Sequence, residues 1–195
     1  MKFNGIDTIL EGRYINRYNV KYILEDGTER AYEMVSRAKG LASLEDLNAA
    51  PVEAVVMIMH DRTGERILLC REFRMAAGEW VYNFPAGLVE KGESVADAAR
   101  RELKEETGLD MVETRHVFQP SYSAVGFSNE KNVCIIGVAD GEFAPSTSSS
   151  EEIHAKWHTR AEVAKLLETA RFAARTQAYC YLWSVFPLHP GGKVV

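Results

Sequence analysis

The chain has 195 residues, 46% of them hydrophobic, and a formal charge of -5. That is enough to bury one good core with at most a small appended subdomain, and the acidity leaves no bulk electrostatic footprint for nucleic acid or an anionic membrane. Cys70, Cys134 and Cys180 are odd in number and far apart, so neither a disulfide framework nor a zinc site is expected. The opening MKFNGIDTIL lacks a basic segment followed by an apolar one, and no apolar run approaches a membrane span, so a soluble cytoplasmic protein is expected.

From Ile6 to Arg37 the chain is rich in Tyr, Ile and Val, and Glu25-Asp26-Gly27 joins RYNVKYILE to ERAYEMVSR, which predicts a β-hairpin. Residues 38–50 are polar and aperiodic and precede Pro51, so they read as a link between a small β subdomain, 1–48, and a main domain, 49–195. AVVMIMHD and RILLCREFR, joined by a Gly-containing turn, predict strands buried on both faces. Further strands are expected at WVYNF, VETRHVFQP, NVCIIGVAD and IHAKWHT. Helices are expected at 95–107, after Thr159 with its capping partner Glu162, and from about Thr176 to Phe186. STSSSEE at 146–152 reads as a surface loop.

The helix at 95–107 carries the chemistry. Ser94 with Asp97 marks its start and Gly108 its end. At about 100° per residue, Val95, Ala98, Ala99, Glu102 and Glu106 fall on one side, with Asp97, Arg100, Lys104 and Thr107 opposite. Solvated glutamates would not continue an apolar stripe. Clustered carboxylates that are buried need a compensating cation or hydrogen bonds. Oxygen donors without a nearby His or Cys favour Mg²⁺, with Mn²⁺ as the alternative.

The stretch AGLVEKGESVADAARRELKEETGL resembles the Nudix box, G-x5-E-x7-R-E-U-x-E-E-x-G-U, where U is a bulky aliphatic residue. Gly87, Glu93, Arg101, Glu102, Leu103, Glu105, Glu106, Gly108 and Leu109 meet every specified position. Seven fixed letters matching by chance has a probability on the order of 10⁻⁸. The resemblance implies an α/β (α+β) fold in which a mixed β-sheet is sandwiched between helices, with a small N-terminal antiparallel β subdomain. It implies metal ligation by Glu102 and Glu106, by Glu105 directly or through water, and by the carbonyl of Ala86. Arg101 would hold Glu93, and Gly87 would let backbone approach the metal. The implied reaction is hydrolysis of a nucleoside diphosphate linked to another group.

Flanking residues resemble the ADP-ribose pyrophosphatase subgroup, in which Arg71 or Arg74 of REFR would help bind substrate. In SAVGFSNE, Gly126 and Glu130 fit that subgroup's substrate loop, whereas its proline, about sixteen residues after the box, is Val125 here. The subgroup's N-terminal β subdomain is exchanged across a homodimer and helps form the base pocket, where Tyr14, Tyr18, Tyr22 and Tyr32 are candidates. The catalytic base is Glu151 or Glu152 on the 146–152 loop, or else Glu105 or Glu106 of the box. His60, His116, His154, His158 and His189 are too scattered for a histidine metal site. ADP-ribose is the expected substrate. GDP-mannose or another nucleotide sugar is the alternative, and a non-catalytic ADP-ribose sensor is less favoured because the box is intact.

Overall fold

The computed structural model describes residues 1–147 and 151–186. His189, and Ser148, Ser149 and Ser150 of the expected 146–152 loop, lie outside these residues. By compactness the chain divides into two units: residues 1–54 with 119–133, and residues 55–118 with 134–195.

The first unit is built on an antiparallel sheet of β1 (Lys2–Leu10), β2 (Asn16–Ile23) and β3 (Glu29–Ser36). The Asp26-Gly27 turn closes the β2/β3 hairpin, with Gly27 at a φ of 85° and Asp26 Oδ1 accepting the Thr28 N–H at 2.9 Å. Both features explain the choice of residues, since a left-handed position favours Gly and an aspartate readily caps a turn. Tyr18, Val20, Met34, Leu41 and Leu47 form the core. Tyr18 is fully buried, and its hydroxyl is satisfied by donating to the Ala38 carbonyl at 2.8 Å.

The stretch expected to be an aperiodic link holds a short helix, α1 (Leu44–Asn48), with a complete capping box between Ser43 and Asp46. At five residues it is too short for a periodic pattern to reveal it. The 119–133 segment contributes β9 (Ser121–Tyr122) and belongs with this unit. Phe127 O accepts the Val35 N–H at 2.8 Å, and the Tyr32 hydroxyl donates to Gly126 O.

The larger sheet runs in the order β11-β5-β4-β10-β8, from β4 (Val52–His60), β5 (Arg66–Arg74), β8 (Asp110–Val117), β10 (Lys131–Asp140) and β11 (Ile153–Thr159). β6 (Glu79–Asn83) pairs with β5, and β7 (Ala86–Leu88) pairs with β4. The apolar runs are strands as expected, and the three-residue β7 is an addition. Helices flank the sheet. Ile67 and Leu69 of β5, with Val56 and Ile58 of β4, pack against Val163 of α3 (Arg160–Thr169) and Cys180 and Trp183 of α4 (Ala174–Val185). The alternate β5 residues Leu68, Cys70 and Glu72 are also buried, as a strand covered on both faces requires. α3 begins at the expected Thr159–Glu162 capping box.

The box helix, α2, spans Val95–Thr107. Ser94 accepts the Asp97 N–H at 3.1 Å, and Gly108 adopts a left-handed φ of 80°. One placement from the helical wheel is corrected: Thr107 is fully buried rather than on the solvent side. Its carbonyl accepts the Ala144 N–H at 3.0 Å, so residues following β10 cover the last turn of the helix. Its hydroxyl donates back to Leu103 O at 2.6 Å and accepts the Leu109 N–H at 3.1 Å.

Candidate active site

The site is organised at its solvent edge by Arg101. Its Nε and Nη2 donate to the two oxygens of Glu93 at 2.9 Å each, a bidentate pair. Its remaining N–H groups reach Glu102 Oε1 at 2.8 Å, Glu105 Oε2 at 3.2 Å and Leu88 O at 3.0 Å. One guanidinium thus ties three box glutamates to the turn before the helix. Glu93 also accepts the Glu90 N–H at 3.0 Å. The Arg101 fork, with that backbone bond, lowers its pKa to about 2.

The inner edge is different. Glu106 is only 7% exposed, and its Oε2 accepts the Ala86 N–H at 3.2 Å. Burial, helped by the charges of Glu72, Glu102 and Glu151, raises its pKa to about 9 against the opposing Ala86 hydrogen bond. Burial also raises the pKa of Glu102, while Arg101 opposes the shift. Gly87 explains how Glu102 fits, because a Cβ there would stand 1.9 Å from the Glu102 carboxyl carbon.

Glu102, Glu105, Glu106, Ser146, Thr147 and Glu151 line one cleft of about 300 Å³. Thr147 N–H donates to the Glu105 carbonyl at 2.9 Å, which fastens the 141–147 segment to the end of α2. Of the two loop glutamates, Glu151 lines the cleft. The exposed Glu152 instead uses its backbone carbonyl to accept the Phe73 N–H at 3.1 Å. Neither arginine of REFR lines the cleft. Arg71 lies over the Trp80 ring at 4.5 Å, and Arg74 stands 3.6 Å from Glu72. Gly126 and Glu130 belong to the first unit, where Glu130 pairs with Arg37 at 3.2 Å.

Glu72 was not singled out in the sequence. It is buried, accepts Asn83 Nδ2 at 3.0 Å and has a raised pKa through burial. The available signal was strand periodicity, since Glu72 continues the alternation of Leu68 and Cys70 into a run that otherwise looks like a charged strand end.

This donor set fits an oxygen-coordinated divalent cation. The mostly buried Glu106 carboxylate, surrounded by others, lacks charge compensation, and Gly87 leaves room for the neighbouring Glu102 carboxylate. Among the described residues no three His, Cys, Asp or Glu side chains already converge as a closed metal cage. Arg101 accounts for this in part by drawing Glu102 and Glu105 to itself. An open arrangement suits a cation whose remaining positions are filled by water and substrate phosphate.

Residues 50–194 match the NUDIX domain family. The chain belongs to the Nudix family. Among curated Nudix relatives, it is 36% identical over 129 residues to "Nudix hydrolase 19, chloroplastic" of Arabidopsis thaliana, spanning 64% of this chain and 28% of the relative. It is 32% identical over 102 residues to the mouse (Mus musculus) "ADP-sugar pyrophosphatase", spanning 52% and 45% of the two chains. The "ADP-ribose pyrophosphatase" of Escherichia coli strain K12 is 32% identical over 96 residues, spanning 47% and 46%. The matched stretches thus cover less than half of each of these relatives. A crystal structure of an "ADP compounds hydrolase" superposes with a TM-score of 0.72 over 93% of this chain and 92% of that one, at 22% identity, and so shares the Nudix fold. No helix among the described residues is long and apolar enough to cross a membrane.

Proposed function

We propose that this Nudix chain hydrolyses the pyrophosphate bond of a nucleoside diphosphate sugar, with ADP-ribose giving AMP and ribose 5-phosphate. The observation that carries this reading is the buried Glu106 carboxylate, sharing one cleft with Glu102, Glu105 and Glu151. The similarity to the mouse ADP-sugar pyrophosphatase and the E. coli ADP-ribose pyrophosphatase supports the choice of an ADP-sugar.

Mg²⁺, with Mn²⁺ as the alternative, would be held by Glu102, Glu106 and Glu105, aided by the Ala86 backbone. Such an ion supplies charge neutralisation at the pyrophosphate and lowers the pKa of bound water. Arg101 keeps Glu93, Glu102 and Glu105 at fixed separations through its hydrogen bonds. Glu151 is the better placed of the two loop glutamates to accept a proton from the attacking water, because it lines the cleft. Arg71, Arg74, Gly126 and Glu130 are retained as candidate substrate contacts.

Residues 1–48 are proposed as a dimerisation and base-binding subdomain, 49–195 as the catalytic domain, and the homodimer as cytoplasmic. Substrate choice is tested by incubating the protein with Mg²⁺ and a panel containing ADP-ribose, other ADP-sugars, GDP-mannose and CMP-linked compounds, with products separated by ion-exchange chromatography. AMP and ribose 5-phosphate from ADP-ribose are expected. Consumption of another compound with ADP-ribose intact would overturn the substrate assignment, and ADP-ribose binding without turnover of any compound would favour a sensor.

A further inference from the structure

Residues of β5, β6 and α4 form one hydrogen-bonded line that ends on Phe84, two residues before Ala86. Phe84 N–H donates to Thr176 Oγ1 at 3.3 Å, Thr176 Oγ1 donates to Asn83 Oδ1 at 2.8 Å, and Asn83 Nδ2 donates to Glu72 Oε1 at 3.0 Å. Thr176 is fully buried, and Glu72 is 8% exposed. Chemistry fixes the direction of every bond. The Phe84 N–H can only donate and an ionised Glu72 carboxylate can only accept, so the Asn83 amide is committed to Glu72 and the hydroxyl proton of Thr176 is left for Asn83. The asparagine carbonyl therefore faces Thr176, and its amide faces the carboxylate. An aspartate at 83 would instead set a second carboxylate against Glu72.

The same segment reaches the candidate active site. Pro85 O accepts the Met57 N–H at 2.8 Å, and the next residue, Ala86, presents its N–H to Glu106. Asn83, Phe84 and Pro85 are thus each pinned by a different partner immediately before the backbone group that meets Glu106. The pins come from β5, α4 and β4, so the position of Ala86 is set by the body of the fold.

We propose that Asn83 and Thr176 are positioning residues of the hydrolytic centre, holding the Phe84–Ala86 backbone in the place that orients Glu106. The proposal rests on the pyrophosphate-hydrolase reading for its catalytic consequence, but it also makes a claim about cation binding alone. Replacing Thr176 with valine keeps the shape and leaves the Phe84 N–H and Asn83 Oδ1 without their buried partner. The strain falls on the segment leading to Ala86, while the cleft-lining side chains are unchanged.

The test compares wild type, Thr176→Val, Thr176→Ser and Asn83→Ala as full chains. Free Mn²⁺ is followed by electron paramagnetic resonance, kcat and KM are measured on whichever nucleotide sugar the wild type hydrolyses, and thermal midpoints are recorded. Thr176→Val is expected to weaken Mn²⁺ binding and lower kcat on the order of 10-fold, as loss of a residue supporting metal ligands does. KM should change by less than about twofold, and Thr176→Ser should restore both quantities to within about twofold of wild type. Asn83→Ala should reproduce the valine result and decides the matter if Thr176→Val does not fold. A lower thermal midpoint with wild-type Mn²⁺ affinity and kcat would reduce the line to a structural role and overturn the proposal, as would a serine variant as impaired as valine. If the wild type binds Mn²⁺ yet hydrolyses no nucleoside diphosphate, the functional reading fails while the Mn²⁺ comparison still decides the positioning role. A wild type that binds no Mn²⁺ overturns both.

Discussion

Glu93 and Glu106 are the same residue type in one sequence box, yet the fold drives them in opposite directions. Glu93 sits in the Arg101 fork at the solvent edge and ionises with a pKa of about 2. Glu106 is buried, with the Ala86 N–H as its hydrogen-bond donor, and its pKa rises to about 9. The first is a carboxylate with its counter-charge built in. The second is a buried carboxylate with no cationic side chain among the described residues hydrogen-bonded to it, which is the physical difference between the two.

Removing the charge at the inner position should break the contrast most severely. Glu106→Gln is expected to lower metal-dependent turnover by at least on the order of 100-fold, more than loss of a supporting residue would. The same substitution should stabilise the metal-free fold at pH 7 by roughly 3 kcal/mol, because the cost of keeping a buried carboxyl protonated disappears. Steady-state kinetics and thermal melts in a chelator check both outcomes, and unchanged turnover would remove Glu106 from the site.

Crowding Glu102, which lies between the two extremes, should have a smaller effect. The Cβ of Gly87→Ala would overlap the Glu102 carboxylate, the movable end of a side chain, so the fold yields there at modest cost while the carboxylate shifts. A fall in kcat on the order of 10-fold with little loss of thermal stability is expected. Equal activity in the alanine variant would show that the position of Glu102 is not critical.

The gentlest test leaves the sequence intact and titrates it. Glu93 has a folded pKa below the ordinary 4.5, so its contribution to stability is present above pH 4.5 and is lost as pH falls through about 2. Glu106 has a folded pKa above 4.5, so its contribution is fully present below pH 4.5 and is lost as pH rises through about 9. Buried His60, lowered from 6.5 to about 4 chiefly by burial, adds stability present above pH 6.5 and lost as pH falls through about 4. Carbon-13 carboxyl NMR of the metal-free protein separates the two glutamates from this background. Two titrations near 4.5 would erase the contrast, and adding Mg²⁺ should move that of Glu106 downward alone.

Much of this contrast was legible before the structure. The ends of α2 are marked by Ser94 and Gly108, and the glutamates on its apolar stripe are local facts of helical spacing. The apolar strands were equally plain. Thr107 was misplaced because its cover comes from Ala144, and helical periodicity carries no information about a segment that returns from elsewhere. α1 offered one turn and two leucines, too little for any period to register. Glu72 was hidden by its neighbours Arg71 and Arg74, whose charges made the strand end look solvated. Asn83 and Thr176 meet across 93 residues, and nothing local to either sequence position announces the other.

The two main-chain bonds from Ala144 and Thr147 to the carbonyls of Thr107 and Glu105 have an evolutionary consequence. Because they are made by peptide groups, they ask almost nothing of the side chains between them, apart from excluding proline at either donor. The demand falls across the contact on Gly108, where a Cβ would come within 2.4 Å of the Ala144 nitrogen. One glycine thus lets a whole stretch bordering the cleft drift in composition, so inherited change can remodel the wall of the site without loosening the helix that bears its carboxylates.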